Sequence, residues 1–378
     1  MQSTEIERRK VINMDSFELE QIVEPLLTWF GSHARILPWR EEPTAYRVWV
    51  SEIMLQQTRV EAVKPYYERF MNALPTVEAL AAAPEETLLK LWEGLGYYNR
   101  VRNMGKAARQ IMEQYHGVIP DDHGQLCSLA GIGSYTAGAV ASIAYGKPVP
   151  AVDGNVLRVI SRVRMDDRDI MQAKVRKSVE QDLTAIMPKG RCGAFNQALM
   201  ELGAMVCIPN GEPKCSECPW NDFCRAYQNR CMTEYPKKSP KKARTIEYKT
   251  ILVLQDAQKA ALQKRPDKGL LAGMYEFPWI EGTQNEDSVL KYLGTLGLHA
   301  LRIQRLEDSK HIFTHKEWHM TGYAVRVDEL ERTSQDNGLI FVDREEAEAR
   351  YAIPSAYAAY TKYLQIRQGS EKMKGDLT

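Results

Sequence analysis

The chain has 378 residues, 44% hydrophobic and 26% charged, a length and balance that suit two or three globular domains with a sizeable core. The net charge is only +1, so total charge argues neither for nor against nucleic acid, and local basic patches must decide. No stretch reaches the roughly 18 apolar residues of a membrane helix, and the charged N-terminus MQSTEIERRKVINMDSFE lacks the apolar run of a signal peptide, so the expectation is a cytoplasmic protein with no membrane partner.

Residues 1–230 read as helical. In SFELEQIVEPLLTWFGS, Leu19, Ile22, Val23, Leu26, Leu27 and Phe30 follow the spacing of one apolar helix face. Glu52 lies in VWVSEIMLQQ, among apolar neighbours that raise a carboxyl pKa when they bury it. Taken alone, however, a surface or salt-bridged glutamate is the commoner case. Residues 98–115 put Val101, Met104, Ala107 and Ile111 on one stripe, and the intervening Arg100, Arg102, Lys106 and Arg109 read mainly as a solvated face.

Residues 129–146, LAGIGSYTAGAVASIAYG, have the form of a hairpin followed by a helix. Gly131 and Gly133 can take backbone angles that other residues avoid, and such a turn leaves N–H groups pointing outward at a helix N-terminus, where anions bind. A tight turn without ligand has the same form, because a lone GxG is a weak signal. Downstream, Asp153 in PVPAVDGNVLRV sits at a loop-to-helix junction, where an N-cap is the common role, and the same holds for Asn155.

The stretch CIPNGEPKCSECPWNDFC places seven, two and five residues between Cys207, Cys215, Cys218 and Cys224. Four thiolates so close together can hold one iron–sulfur cluster or one zinc ion, and spacing does not separate the two. Cys127, Cys192 and Cys231 read as ordinary thiols. Residues 236–244, PKKSPKKAR, have the composition of a linker that could also lie along a phosphate backbone. Beyond it, YKTILVLQ and RIQRLEDSKHIFTHKEWHMTGYAVRV read as strands, and DSVLKYLGTLG and PSAYAAYTKYLQIRQ as helices. Residues 245–367 are thus an α+β domain, with 231–244 as the linker before it and 368–378 as a polar tail.

LAGIGSYTAGA followed by VDGNVLRV resembles the helix–hairpin–helix and catalytic aspartate of the endonuclease III superfamily of DNA glycosylases. LPWREEPTAYRVWVSEIMLQQTRV (37–60), GLGYYNRVRN (94–103) and GLLAGMYEFP (269–278) narrow the likeness to MutY-type adenine DNA glycosylases, over nearly the whole chain. Two departures stand out. The family usually has six residues between its first two cluster cysteines where this chain has seven, and Ala130 replaces a usual proline.

The resemblance implies a multidomain protein: an all-α glycosylase domain with a [4Fe–4S] loop held by Cys207, Cys215, Cys218 and Cys224, then an α+β Nudix-like (MutT-like) domain. It implies that Glu52 protonates adenine, that Asp153 stabilises an oxocarbenium ion, and that Tyr135 and Asn155 support Asp153 and position water. Tyr135 stands where bifunctional relatives carry a lysine that forms a Schiff base; a tyrosine cannot, so base removal without strand cleavage is expected.

Gln57 and Tyr97 are the implied wedge residues for a flipped base, with Thr58 and Leu95 beside them, although core packing competes for Tyr97 and Leu95. Arg35, Trp39, Arg40 and Leu55 would line the adenine pocket, and Gly131 and Gly133 would admit the phosphate backbone. Phe313, Thr314 and His315 match the family loop that reads 8-oxoguanine. No Nudix-box cluster of glutamates follows Phe277, so this domain is expected to bind and not hydrolyse. The implied partner is duplex DNA with an A·8-oxoguanine or A·G mispair, met by a monomer in the bacterial cytoplasm. Two rivals are a lyase acting on damaged pyrimidines and a catalytically silent DNA-binding protein with structural zinc.

Overall fold

The computed structural model describes residues 18–240, 243–257, 259–330 and 338–367. The charged N-terminus, Lys241 and Lys242 of the basic stretch, and the polar tail lie outside the described residues. The chain forms two compact units, one of described residues up to Ile53 with Glu113–Pro240, the other of Met54–Met112 with the described residues from 243 onward.

In the first unit, the periodicity near the N-terminus becomes a 3-10 turn, Leu19–Ile22, leading into the helix Val23–His33. Leu19, Ile22, Val23 and Leu26 are buried, whereas Leu27 and Phe30 are half-buried on the edge of the same core. The helix Cys192–Met205 packs against Val23–His33, Ser134–Tyr145 and Gly154–Arg164. Phe195, Leu199 and Leu202 on it meet Val156 and Ile160 in one apolar core. The basic stretch begins on this unit: Tyr235 is buried, and the Ile170 N–H donates to Lys237 O at 3.2 Å.

The second unit combines helices with a sheet. Val101, Met104, Ala107 and Ile111 are buried along the helix Asn99–Tyr115, the face that periodicity marks. Arg100 and Arg102 depart from the expected solvated face, being drawn into hydrogen bonds and an ion pair, while Lys106 and Arg109 are exposed. Among the described residues the sheet has strands β1 (Thr245–Gln255), β2 (Ala260–Lys264), β3 (Tyr275–Glu276), β4 (Trp279–Glu281), β5 (Ala300–Ile312), β6 (Lys316–Val327) and β7 (Leu339–Val342).

The order is β3-β2-β1-β6-β5, with β4 also on β1 and β7 on β2. Only the long β1–β6 pairing is parallel among these, so the sheet is mixed. Alternation along β1 sends Ile251 and Val253 into one core with Trp318 and Tyr357, and Leu252 and Leu254 into another with Val289 and Leu293. Covered on both faces, the strand reads as the unbroken apolar run ILVL. The helix expected over PSAYAAYTKYLQIRQ is instead three short pieces, Ser355–Tyr357, Ala358–Thr361 and Lys362–Leu364, the first and last of 3-10 form. Tyr357, which ends the first piece, and Tyr360, in the α-helical middle piece, are both fully buried.

Candidate active site

Glu52 sits within the helix Ala45–Leu55 and is only 5% exposed. Tyr135, the second residue of the helix Ser134–Tyr145, donates its hydroxyl to Glu52 Oε2 at 2.5 Å. The resemblance implies that Tyr135 supports Asp153; in the structure its hydroxyl donates to the other carboxyl, that of Glu52. Burial pushes the Glu52 pKa up from 4.5 to about 7, and the nearby Asp153 charge adds to this, while the Tyr135 hydrogen bond and Arg40 oppose it. Burial likewise holds the Tyr135 hydroxyl well above its ordinary value, so it remains a donor at neutral pH.

Asp153 is the N-cap of the helix Gly154–Arg164: one oxygen accepts the Val156 N–H at 2.8 Å and the other accepts Asn155 Nδ2 at 2.8 Å. Burial raises its pKa, and these two donors and the Arg158 charge pull it back. Asn155 is itself held by Arg158 Nη2, which donates to Asn155 Oδ1 at 3.0 Å and to Gly203 O at 2.8 Å, while Arg158 Nε donates to Cys207 O at 2.9 Å. The first unit therefore brings together two buried carboxyls with different partners. One faces a phenol, and the other faces a helix N-terminus that favours its anion.

Arg35 and Arg40 converge on Glu201, a residue the sequence reading does not single out. Arg35 Nε and Nη2 make a bidentate pair with its carboxylate at 2.7 and 3.0 Å, and Arg40 Nη2 donates to it at 3.0 Å. Glu201 is 1% exposed, and the two arginines keep its pKa below the usual value despite burial. Trp39 is buried between them in sequence, and Leu55 is half-buried at the end of the helix that carries Glu52.

The glycine turn splits in two. Gly131 has φ +74, a conformation for which glycine is suited. Gly133 does not share it: as N-cap of the helix Ser134–Tyr145 it has φ −92 and ψ 175, open to any residue. A Cβ there would meet nothing within 4 Å, so the backbone at Gly133 faces open space.

In the second unit, Gln57 is exposed with φ 59, Tyr97 is 48% exposed with φ 50, and Thr58 is half-buried. Leu95, placed beside the wedge by the resemblance, is a core residue at 7% exposure. Phe313, Thr314 and His315 form the turn between β5 and β6. Phe313 packs edge-on against the buried Trp318, with ring centroids 4.8 Å apart, and leaves Thr314 and His315 exposed at the tip. Tyr97 and all three turn residues line one cavity of about 730 Å³.

Cys207, Cys215, Cys218 and Cys224 line a single cavity with Val159, Leu202 and Trp220. Among the described residues, no three metal-binding side chains meet around one point as a single ion requires. Arg162 Nη1 lies 3.3 Å from Cys207 Sγ. Burial pushes the Cys218 thiol up to about 12 and the Cys224 thiol up to about 11, with the neighbouring thiols adding to both. Four thiols in one apolar chamber fit a group that brings its own positive charge, as an iron–sulfur cluster does.

Residues 50–188 match the family described as HhH-GPD superfamily base excision DNA repair protein, and residues 250–363 match the NUDIX domain. The chain is 33% identical over 407 residues to an adenine DNA glycosylase of Mus musculus, covering 92% of this chain and 78% of that one. It is 30% identical to an adenine DNA glycosylase of Buchnera aphidicola subsp. Baizongia pistaciae, covering 84% of this chain and 90% of that one. Among solved structures, a thermostable thymine-DNA glycosylase superposes with a TM-score of 0.51 at 28% identity, covering 56% of this chain and 97% of that one.

Proposed function

The chain belongs to the adenine DNA glycosylase family of HhH-GPD base excision repair proteins, and we propose that it is a monofunctional enzyme that removes adenine mispaired with 8-oxoguanine or guanine from duplex DNA. The observation that carries this reading is the pair of buried carboxyls, Glu52 with a pKa near 7 and Asp153 on a helix N-terminus.

Breaking an N-glycosidic bond needs an acid for the leaving base and a carboxylate for the sugar cation. Glu52 is half protonated at neutral pH and gives its proton to the departing adenine. Tyr135, bonded to Glu52 Oε2, leaves the other oxygen for that transfer and carries no amine to trap the sugar. Asp153 keeps its charge through the Val156 N–H and Asn155 and faces the developing oxocarbenium ion, while Asn155, oriented by Arg158, fixes the carboxylate and the attacking water.

Glu201 orients Arg35 and Arg40, the polar side of the adenine pocket. The adenine reaches this pocket only after leaving the stack, with Gln57 and Tyr97 filling the space. N–H groups of the turn at Gly131 and Gly133 hold the phosphate backbone. The loop Phe313–His315 reads the opposite base: 8-oxoguanine differs from guanine at N7 and C8, and the Thr314 hydroxyl can donate or accept there. The second domain binds and does not hydrolyse, since the helix Glu286–Thr295 carries acidic residues only at Glu286 and Asp287. The four cysteines would hold a [4Fe–4S] cluster, which when bound folds the loop between Cys207 and Cys224.

Duplexes carrying adenine opposite 8-oxoguanine, guanine or thymine test this by quantifying free adenine. Release is expected from the first two and not the third. Equal release from all three, or release from none by protein that binds the duplex, would overturn the proposal.

A further inference from the structure

Both wedge loops converge on one half-buried arginine. Arg100 Nη1 donates to Met54 O at 2.8 Å and to Gln56 O at 2.7 Å, the carbonyls that lead into Gln57. Its Nη2 donates to Thr58 Oγ1 at 3.3 Å on the far side of Gln57, and to Leu95 O at 3.2 Å and Gly96 O at 3.1 Å, which lead into Tyr97. The same group lies 5.5 Å from the Tyr97 ring centroid and 5.3 Å from that of Trp92. Gln57 and Tyr97 are non-glycine residues with φ of 59 and 50, a region such residues enter at a cost and hold only when their surroundings fix them. Arg100 thus grips the chain on both sides of one strained tip and immediately before the other.

We infer that Arg100 is a positioning residue that locks the Gln57 and Tyr97 tips in register with each other, so that the two side chains enter the duplex as one preformed wedge. This deepens the proposed function and rests on it. Preorganisation is the physical gain: tips already fixed before contact lose little freedom when they displace a base. Only arginine supplies a planar fork of donors wide enough for carbonyls from two loops; a lysine offers three donors from a single atom. Burial pushes the Arg100 pKa down to about 10, which leaves it charged at neutral pH.

The test uses the full chain, with wild type, Arg100→Met and Arg100→Lys. The duplex carries adenine opposite 8-oxoguanine and 2-aminopurine beside the 8-oxoguanine, whose fluorescence rises when it is unstacked. Duplex affinity, the ~400 nm cluster absorbance and the melting temperature are followed in parallel. Wild type should unstack the probe and release adenine. Both variants should bind the duplex yet lose the fluorescence rise, and single-turnover release should slow about 100-fold, the scale of a misplaced contact.

If Arg100→Met does not fold, Arg100→Lys decides, since it keeps the charge and lacks only the fork. A folded variant that unstacks the probe and releases adenine at the wild-type rate would overturn the inference, as would full rescue by lysine. If wild type itself releases no adenine, the proposed function fails and this inference falls with it.

Discussion

Raising the pH should silence base release through one residue. With an ordinary pKa of 4.5, Glu52 would be protonated in about 0.3% of molecules at pH 7; at about 7 it is protonated in about half, an approximately 150-fold larger population of the acid. The single-turnover rate of adenine release should therefore fall about tenfold per pH unit above a limb near pH 7. Tyr135 donates to the charged form of Glu52, so Tyr135→Phe removes a contact that favours ionisation, and the limb should move alkaline by about one pH unit whatever happens to the plateau.

The same carboxyl should lower stability. Its folded pKa lies above its unfolded value, so the unfolded chain loses the proton first as pH rises. Below pH 4.5 both states hold it and nothing is lost; between 4.5 and about 7 the fold loses about 3 kcal/mol, and above that the loss is complete. Glu52→Gln, which can still accept from Tyr135, should be inactive and more thermostable than wild type at pH 8, with the gain vanishing below pH 4.5. A limb near pH 4.5, a flat rate from pH 5 to 9, or an acid shift in Tyr135→Phe would show that Glu52 is not the acid.

Asp153→Asn should abolish release with duplex affinity nearly unchanged, because asparagine still caps the helix Gly154–Arg164; a gel-shift titration beside the release assay checks both halves. Thr314→Ala should reduce the rate advantage of an A·8-oxoguanine over an A·G duplex by up to about tenfold, the scale of one hydrogen bond, while leaving adenine release from A·G intact. Cys218→Ser should lose the ~400 nm band of an iron–sulfur protein; a colourless wild type carrying stoichiometric zinc would show that the four thiols hold another metal. Tyr135→Lys introduces an amine beside Glu52 and should add strand nicking trapped by borohydride.

The two kinds of site residue were legible to different degrees. Four cysteines within one short loop announce themselves by spacing, and the β5–β6 hairpin by its two neighbouring strand runs. Glu52 alone reads as an ordinary helical glutamate, because its 5% exposure and its contact with Tyr135 arise from a helix 83 residues away. Glu201 gave no local signal: one acid in an apolar helix becomes meaningful only once Arg35 and Arg40 meet it, more than 160 residues earlier in the chain.

Arg100 sits among residues that do face solvent, so periodicity assigned it to them; backbone carbonyls, which carry no sequence identity, are what claim it. Gly133 looked conformationally special beside Gly131, yet only Gly131 takes a positive φ. The parallel β1–β6 pairing likewise joins segments too far apart for any local pattern to register.

The most direct measurement uses one end-labelled duplex with adenine opposite 8-oxoguanine and an A·T duplex as control, each incubated with the protein and then split, with half treated in hot alkali. Breakage is expected at the adenine only after alkali and only in the lesion duplex. Breakage without alkali would contradict that expectation and place the chain among the lyases; no breakage in either half, from protein that binds the duplex, would show that adenine is not its target.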